Sequence, residues 1–326
     1  MAAGRDIDRA VAVLRAGGLV AFPTETVYGL GADASNPAAL GKIFDVKGRP
    51  RNHPLIVHIH DAQDASAWAR DIPPAAQRLA QRYWPGPLTL VLKRAPAAHD
   101  LLTGGQDTIA LRAPSHPVAR ELLERFGGGV AAPSANRYGR VSATTAEHVK
   151  REFGSAIDCV LDGGPTEVGI ESTIVDLSGA HPALLRPGAI TAEMLEAALG
   201  GPLGVRSAKS PRVPGTLARH YAPQTPLRVM EADLLVELAA SLARQGQRVA
   251  VLARSARQPL ISGLTWIGAP CDAAGYAHDL YANLRRLDEA QCDAILVEAP
   301  PLDGSWAAIR DRLRRASTPG ASPEAP

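Results

Sequence analysis

Apolar residues fall at helical spacing over 5–16, at Ile7, Ala10, Val11 and Leu14, and the pattern stops at Gly17-Gly18. An opening amphipathic helix follows from that spacing. The run Leu19-Val20-Ala21-Phe22 reads as a short buried strand ending at Pro23. Hydroxyls and glycines come next, Thr24-Glu25-Thr26-Val27-Tyr28-Gly29-Leu30-Gly31, and read as a loop. Asn36 as N-cap and Pro37 at the first position start a second helix, expected to run to about Val46. It releases the basic segment Lys47-Gly48-Arg49-Pro50-Arg51 into a strand over 55–59. Further helices are predicted over 75–83, 117–126, 145–153 and 191–199. Short strands are predicted over 88–92, 108–112, 130–132, 159–161, 173–177 and 183–185.

From 202 to 226 the periodicity disappears among prolines 202, 211, 214, 223 and 226. This linker carries Pro214-Gly215 and Arg219-His220-Tyr221-Ala222-Pro223, content that a flexible glycine/serine spacer lacks. Beyond it, strands over 227–230, 248–253, 264–267 and 294–298 alternate with helices over 233–244, 273–287 and 306–315. Such alternation predicts a small parallel α/β sheet. The expected organisation is a domain over 1–201, a linker or lid over 202–226, and a second domain over 227–316. The tail over 317–326, rich in Pro, Ala and Ser, is expected to be disordered.

Composition narrows the function classes. An apolar share of 46% over 326 residues sustains two cores. Aromatics at 4% argue against a surface that stacks many bases. With a formal net charge of +2, any cationic function has to come from local clustering. Cys159, Cys271 and Cys292 are too widely spaced for a disulfide framework or a CxxC clip, and no protein-held metal site is expected. The absence of a signal peptide or a long apolar run predicts a soluble cytoplasmic protein without membrane association.

Four constellations carry candidate chemistry. Gly29-Leu30-Gly31-Ala32-Asp33-Ala34 formally matches GxGxxA, but a dinucleotide fingerprint needs its first glycine directly after the strand, and Pro23 to Tyr28 intervene. Two readings remain: the glycines permit a tight turn, or Thr24, Thr26 and Tyr28 line a pocket floored by it. Lys47, Arg49 and Arg51 form either a solvated charge run or a phosphate cradle. Gly48, Pro50 and Pro54 fix the direction of this run, and Arg112 and Arg186 end other predicted strands. Ligands bind at strand carboxyl ends in open α/β sheets, and converging guanidinium groups suit a polyphosphate. Ser134-Ala135-Asn136 follows a strand and is equally a ligand reader or a self-bonded turn. Ser172 and Thr173, within Gly169–Asp176, either meet an amino acid's polar groups or cap the strand. None of the nine histidines sits in a nucleophile motif, and His58 alone reads as a satisfied sheet residue. GxxxxGK[ST] is absent. The residues alone therefore point to a nucleoside polyphosphate bound without a P-loop by the 1–201 domain.

Taken together, PTETVYGLGADA, Lys47-Gly48-Arg49, PLIVHI, WPGPLTLVL, IALRAP, APSAN, GIESTIVD and LLRPG stand in the order of one family. The chain resembles the YrdC-like threonylcarbamoyl-AMP synthases, and Pro214-Gly215 with His220-Tyr221-Ala222-Pro223 resembles the linker of their long, two-domain form. The resemblance implies a twisted, mixed α/β YrdC-like N-terminal domain and a small Rossmann-like parallel α/β C-terminal domain. It implies synthesis of threonylcarbamoyl-AMP and pyrophosphate from L-threonine, bicarbonate and ATP with Mg²⁺. The product would serve a tRNA threonylcarbamoyl-transferase machinery, which modifies the adenosine beside the anticodon in tRNAs reading codons that start with A. By the same resemblance, Thr24, His58, Arg112 and Ser172 hold threonine. Lys47, Arg49, Arg51, Thr108, Ser134, Asn136, Ser142 and Arg186 contact ATP, with Lys47 and Arg49 catalytic, and Tyr221 folds over the nucleotide. The alternatives are an RNA-binding module without turnover, for which a basic surface would give weak RNA binding, and a small-molecule sensor.

Overall fold

The first helix forms as its spacing dictates: α1 (Gly4–Arg15) buries Ile7, Ala10, Val11 and Leu14. The structure is a computed structural model and describes residues 4–317. The chain divides into two units, one of 4–138 with 142–216 and one of 139–141 with 217–317.

In the first unit, β1 (Val20–Phe22) turns through Thr24–Tyr28 into β2 (Gly29–Asp33), its antiparallel partner. The segment read as a loop with turn-forming glycines is thus partly a strand. Gly29 and Gly31 are there for close approach: a Cβ on Gly31 would lie 2.8 Å from the Phe22 ring and from Val130. α2 (Pro37–Lys47) begins as expected, with Asn36 Oδ1 accepting from the N–H groups of Ala38 and Ala39, and stops at Gly48, whose φ is +64°.

The remaining strands are β3 (Ile56–His58), β4 (Ala69–Arg70), β5 (Leu88–Arg94), β6 (Thr108–Arg112), β7 (Val130–Ala131), β8 (Cys159–Val160), β9 (Thr173–Asp176), β10 (Ala183–Arg186) and β11 (Gly204–Val205). They form one 11-stranded sheet in the order β11-β10-β9-β5-β6-β3-β7-β2-β1-β8, with β4 on β5. The sheet is mixed: β1/β8, β3/β6, β5/β9 and β10/β11 run parallel, and the other pairs are antiparallel. α3 (Pro74–Tyr83), α4 (Asp100–Thr103), α5 (Pro117–Phe126), α6 (Ala146–Phe153) and α7 (Ala192–Leu199) complete the unit.

The two faces of this sheet differ. Leu19, Leu30, Val57, Leu90, Leu111 and Val175 enter the main core, which also takes Leu40 and Phe44 of α2 and Leu79 of α3. On the other face, α1 and α5 cover β1 and β7. Further along that face only a small apolar cluster remains, Ile56, Val91, Ala110, Ile174 and Leu185 with Val213. Side chains two apart on a strand share a face, so His58 and Arg112 lie beside that cluster. This is where the candidate site forms.

In the second unit, β12 (Leu227–Met230), β13 (Val249–Ala253), β14 (Leu264–Gly268) and β15 (Ala294–Glu298) are all parallel, in the order β12-β15-β13-β14. α8 (Ala232–Arg244), α9 (Ala273–Glu289) and α10 (Ala307–Ser317) accompany them. At the carboxyl edge, the Glu298 carboxylate accepts from the N–H groups of Arg254, Ser255 and Ala256 and from the Ser255 hydroxyl. Burial works against that charge, but these bonds outweigh it and hold the carboxyl below its ordinary value. A nest of N–H groups that would suit a phosphate is filled by the chain's own carboxylate.

The stretch 202–226, read as one linker, is divided between the units after Thr216. Its first part pairs β11 with β10 and seats Val213 on the sheet. A two-residue strand among prolines leaves no periodicity to read. Of the tail expected over 317–326, Ser317 closes α10 and the rest lies outside the described residues.

Candidate active site

Parallel pairing of β3 with β6 sets His58 opposite Arg112. Both are buried. Arg112 donates from Nη2 to Glu25 Oε1 at 2.7 Å and from Nε to Gly86 O at 3.3 Å. The other Glu25 oxygen accepts from Ser115 N at 3.0 Å. His58 Nδ1 is buried and has no hydrogen-bond partner among the described residues. Burial, then the charge of Arg112, lowers its pKa to about 3, and the imidazole is neutral. Thr24 Oγ1 donates to Val27 O at 2.7 Å and shares a 2.8 Å bond with Thr26 Oγ1. Ser172, immediately before β9, shares a 2.7 Å bond with Thr89 Oγ1 of β5.

A cationic group lies at the end of α2. Lys47 Nζ donates to Ser134 O at 2.6 Å and to Asn136 O, with the charge of Glu152 acting on it without a hydrogen bond between them. Burial, then the neighbouring Arg49 charge, pushes Lys47 well below the ordinary lysine range. An anion entering here would relieve that cost. Arg49 donates to Pro54 O at 2.9 Å and lies 5.8 Å from the Tyr138 ring centroid. Ser142 Oγ donates to Glu171 Oε1 at 2.6 Å. Arg186, ending β10, joins Ser172 to the segment after residue 201: it donates to Ser172 O at 3.0 Å, Ser172 Oγ at 3.1 Å and Pro214 O at 3.0 Å.

The structure thus brings together Lys47 with Ser134 and Asn136, His58 with Arg112, and Ser172 with Arg186. It leaves two expected residues of the first unit, Arg51 and Thr108, apart from these groups. Arg51 is exposed and pairs with Asp45 at 3.0 Å. Thr108 starts β6, four residues from Arg112, which is about 13 Å along an extended strand. Tyr221 belongs to the second unit, stacked on Tyr281 with centroids 5.7 Å apart and with the Arg312 guanidinium 5.2 Å from its ring. Its φ of +61° is a strained value for an aromatic residue, of the kind that functional segments hold. Sequence reasoning passed over Glu25, Thr89 and Glu171, all buried. Glu25 had a readable signal, a lone carboxylate in an apolar and hydroxyl segment with no solvated helix face to occupy.

A family model described as Telomere recombination, covering Sua5, YciO and YrdC, matches residues 12–188. A second, described as Threonylcarbamoyl-AMP synthase, C-terminal domain, matches residues 190–318. The threonylcarbamoyl-AMP synthase of Pyrococcus abyssi is 39% identical over 94% of this chain and 93% of its own length. That of Bacillus subtilis is 41% identical over 95% and 92%. The putative threonylcarbamoyl-AMP synthase of Mycobacterium tuberculosis (strain H37Rv) is 40% identical over 60% of this chain and 90% of its own length. The crystal structure of P. abyssi Sua5 complexed with L-threonine superposes with a TM-score of 0.89 at 39% identity, covering 95% of this chain and 94% of that one.

Proposed function

The chain belongs to the threonylcarbamoyl-AMP synthase family, and from that premise we propose that it acts as a nucleotidyltransferase, joining L-threonine, bicarbonate and ATP into threonylcarbamoyl-AMP and pyrophosphate. The observation that carries this reading is that one unit holds both a buried lysine set against the carbonyls of Ser134 and Asn136 and a buried arginine, Arg112, fixed by Glu25 beside neutral His58. Every residue assigned a role below except Tyr221 lies in the first unit.

In this reading Arg112 takes threonine's carboxylate, with neutral His58, Thr24 and Ser172 around the rest of the amino acid. The amine adds to bicarbonate-derived CO2 to give a carbamate, whose oxygen attacks the α-phosphorus of ATP as the bond to pyrophosphate breaks. Lys47, Arg49 and Arg186 neutralise charge developing on the departing pyrophosphate, while Ser134, Asn136 and Ser142 position the nucleotide. The reaction needs positioning and dryness rather than a covalent nucleophile, in keeping with the burial of these side chains, of which only Ser134 is half-buried. Mg²⁺ would arrive on the triphosphate and help neutralise its charge, since among the described residues no group of three or more acidic, histidine or cysteine side chains is placed to hold it. Thr108, Arg51 and Tyr221 remain assigned to ATP on the resemblance alone. The product would pass to a tRNA threonylcarbamoyl-transferase.

Burial of Lys47, Arg49, Arg112 and Arg186 argues against the RNA-binding alternative, which needs its cations at the surface. Among the described residues no helix is long and apolar enough to cross a membrane. The test is pyrophosphate release from ATP with threonine and bicarbonate omitted in turn. Release that requires both is expected; release that ignores either omission refutes the reading, and salt-sensitive RNA binding without release favours the alternative.

A further inference from the structure

Arg112 is anchored twice, through Nε to Gly86 O and through Nη2 to Glu25, and among the described residues nothing accepts from Nη1. Glu25 is itself fixed by Ser115 N, so the pair cannot rotate without breaking a bond on one side or the other. Both side chains are buried, at 4% and 3% exposure. A buried arginine freed of such a clamp would have rotamer freedom and would have to be ordered by its ligand. Arg112 is also paired in register with His58, whose Nδ1 has no partner among the described residues. The unused guanidinium edge and the unused ring nitrogen thus lie on neighbouring positions of the same sheet face.

We propose that Glu25 is a positioning residue for amino-acid recognition: it holds the Arg112 guanidinium so that Nη1 is presented to the carboxylate of the bound amino acid, making a free carboxylate a requirement of the site. This rests on the reading of Arg112 as the threonine-carboxylate residue. Glu25 touches neither substrate nor nucleotide in this scheme. The carboxylate of Glu25 has a second effect, since it offsets one buried positive charge; the site then holds an amino-acid carboxylate against a locally neutral pair plus one open hydrogen-bond edge.

The experiment measures KM for threonine and for ATP in the full chain and in Glu25→Gln, Arg112→Met and the double variant. It adds the inhibition constant of L-threonine amide, which lacks the carboxylate. Glu25→Gln is expected to raise the threonine KM about 10- to 100-fold, the loss of a charged hydrogen bond, with the ATP KM unchanged. The amide's inhibition constant should hold constant, a result that general damage to the site would not give. In the double variant the threonine KM should equal that of Arg112→Met alone, because Glu25 acts only through Arg112. Should Glu25→Gln fail to fold, Glu25→Asp supplies the same comparison: its carboxylate, one methylene shorter, cannot reach both Arg112 and Ser115. Equal weakening of threonine, its amide and ATP, or additive effects in the double variant, would overturn the inference. An unchanged threonine KM in Arg112→Met would overturn the assignment of Arg112 itself.

Discussion

His58 gives a prediction whose size follows from its surroundings. In the folded chain its pKa is about 3, against an ordinary value of 6.5, because burial and then Arg112 disfavour the imidazolium. Unfolding exposes it, so between those values the unfolded chain binds the extra proton. The sign is therefore that stability contributed by neutral His58 is present above about pH 6.5 and is lost as pH falls toward 3. The ceiling of that loss is about 5 kcal/mol, and about 2 kcal/mol should already be gone at pH 5. The perturbation is His58→Gln, which removes the titration. The assay is urea unfolding at pH 7.5 and pH 5 in a Trp266→Phe/Trp306→Phe background, where the remaining emission comes from Trp68 and Trp84 of the first unit. His53, held at about 4, and His116, also lowered, titrate in both proteins and cancel in the comparison. The parent should lose about 2 kcal/mol more than the variant between the two pH values. Parallel losses would refute the claim that a neutral, desolvated imidazole is built into this face.

Other expectations concern the cations, the close approaches and the segment after residue 201. Lys47→Ala or Arg49→Ala should abolish ATP-dependent pyrophosphate release while circular dichroism shows the fold intact; parent-like turnover in either would remove the central claim. Because burial and then the Arg49 charge lower the Lys47 pKa, ATP binding should take up protons as pH approaches the lysine range from below. Titration calorimetry in buffers of different ionisation enthalpy would read this uptake, which Lys47→Arg should suppress. Gly31→Ala should cost about 1–3 kcal/mol in denaturant unfolding, since its Cβ meets Phe22 and Val130; an unchanged midpoint would mean the sheet yields easily there. Deleting 207–225 removes Val213 and the Pro214 carbonyl that Arg186 uses. It should raise the Michaelis constants or let the unstable carbamate escape before adenylation, read as slower pyrophosphate release at saturating substrates, and unchanged kinetics would count against it.

Local signals in the sequence were enough for the elements whose causes are local. Asn36, Pro37 and Gly48 define α2 through capping and a positive φ, and the apolar spacing of residues 5–16 defines α1; both effects act within a few residues. The parallel sheet of the second unit was equally legible, because strand and helix periods alternate without interruption. β2 was not, since its glycines mimic a turn, and only packing against Phe22 and Val130 explains them. The basic segment illustrates the same limit: Lys47, Arg49 and Arg51 look equivalent in sequence. The structure buries the first two and leaves the third paired with Asp45 in solvent. Glu25 and Arg112 are 87 residues apart, and Ser172 and Arg186 belong to the loop before β9 and the end of β10. Such pairs exist only once the sheet order is set, because no local preference records which distant strands become neighbours. Residue types and motif order determined the kind of ligand this chain is built for. Tertiary structure decided which cations are desolvated, which histidine nitrogen is left without a partner, and which carboxylate holds the arginine in place.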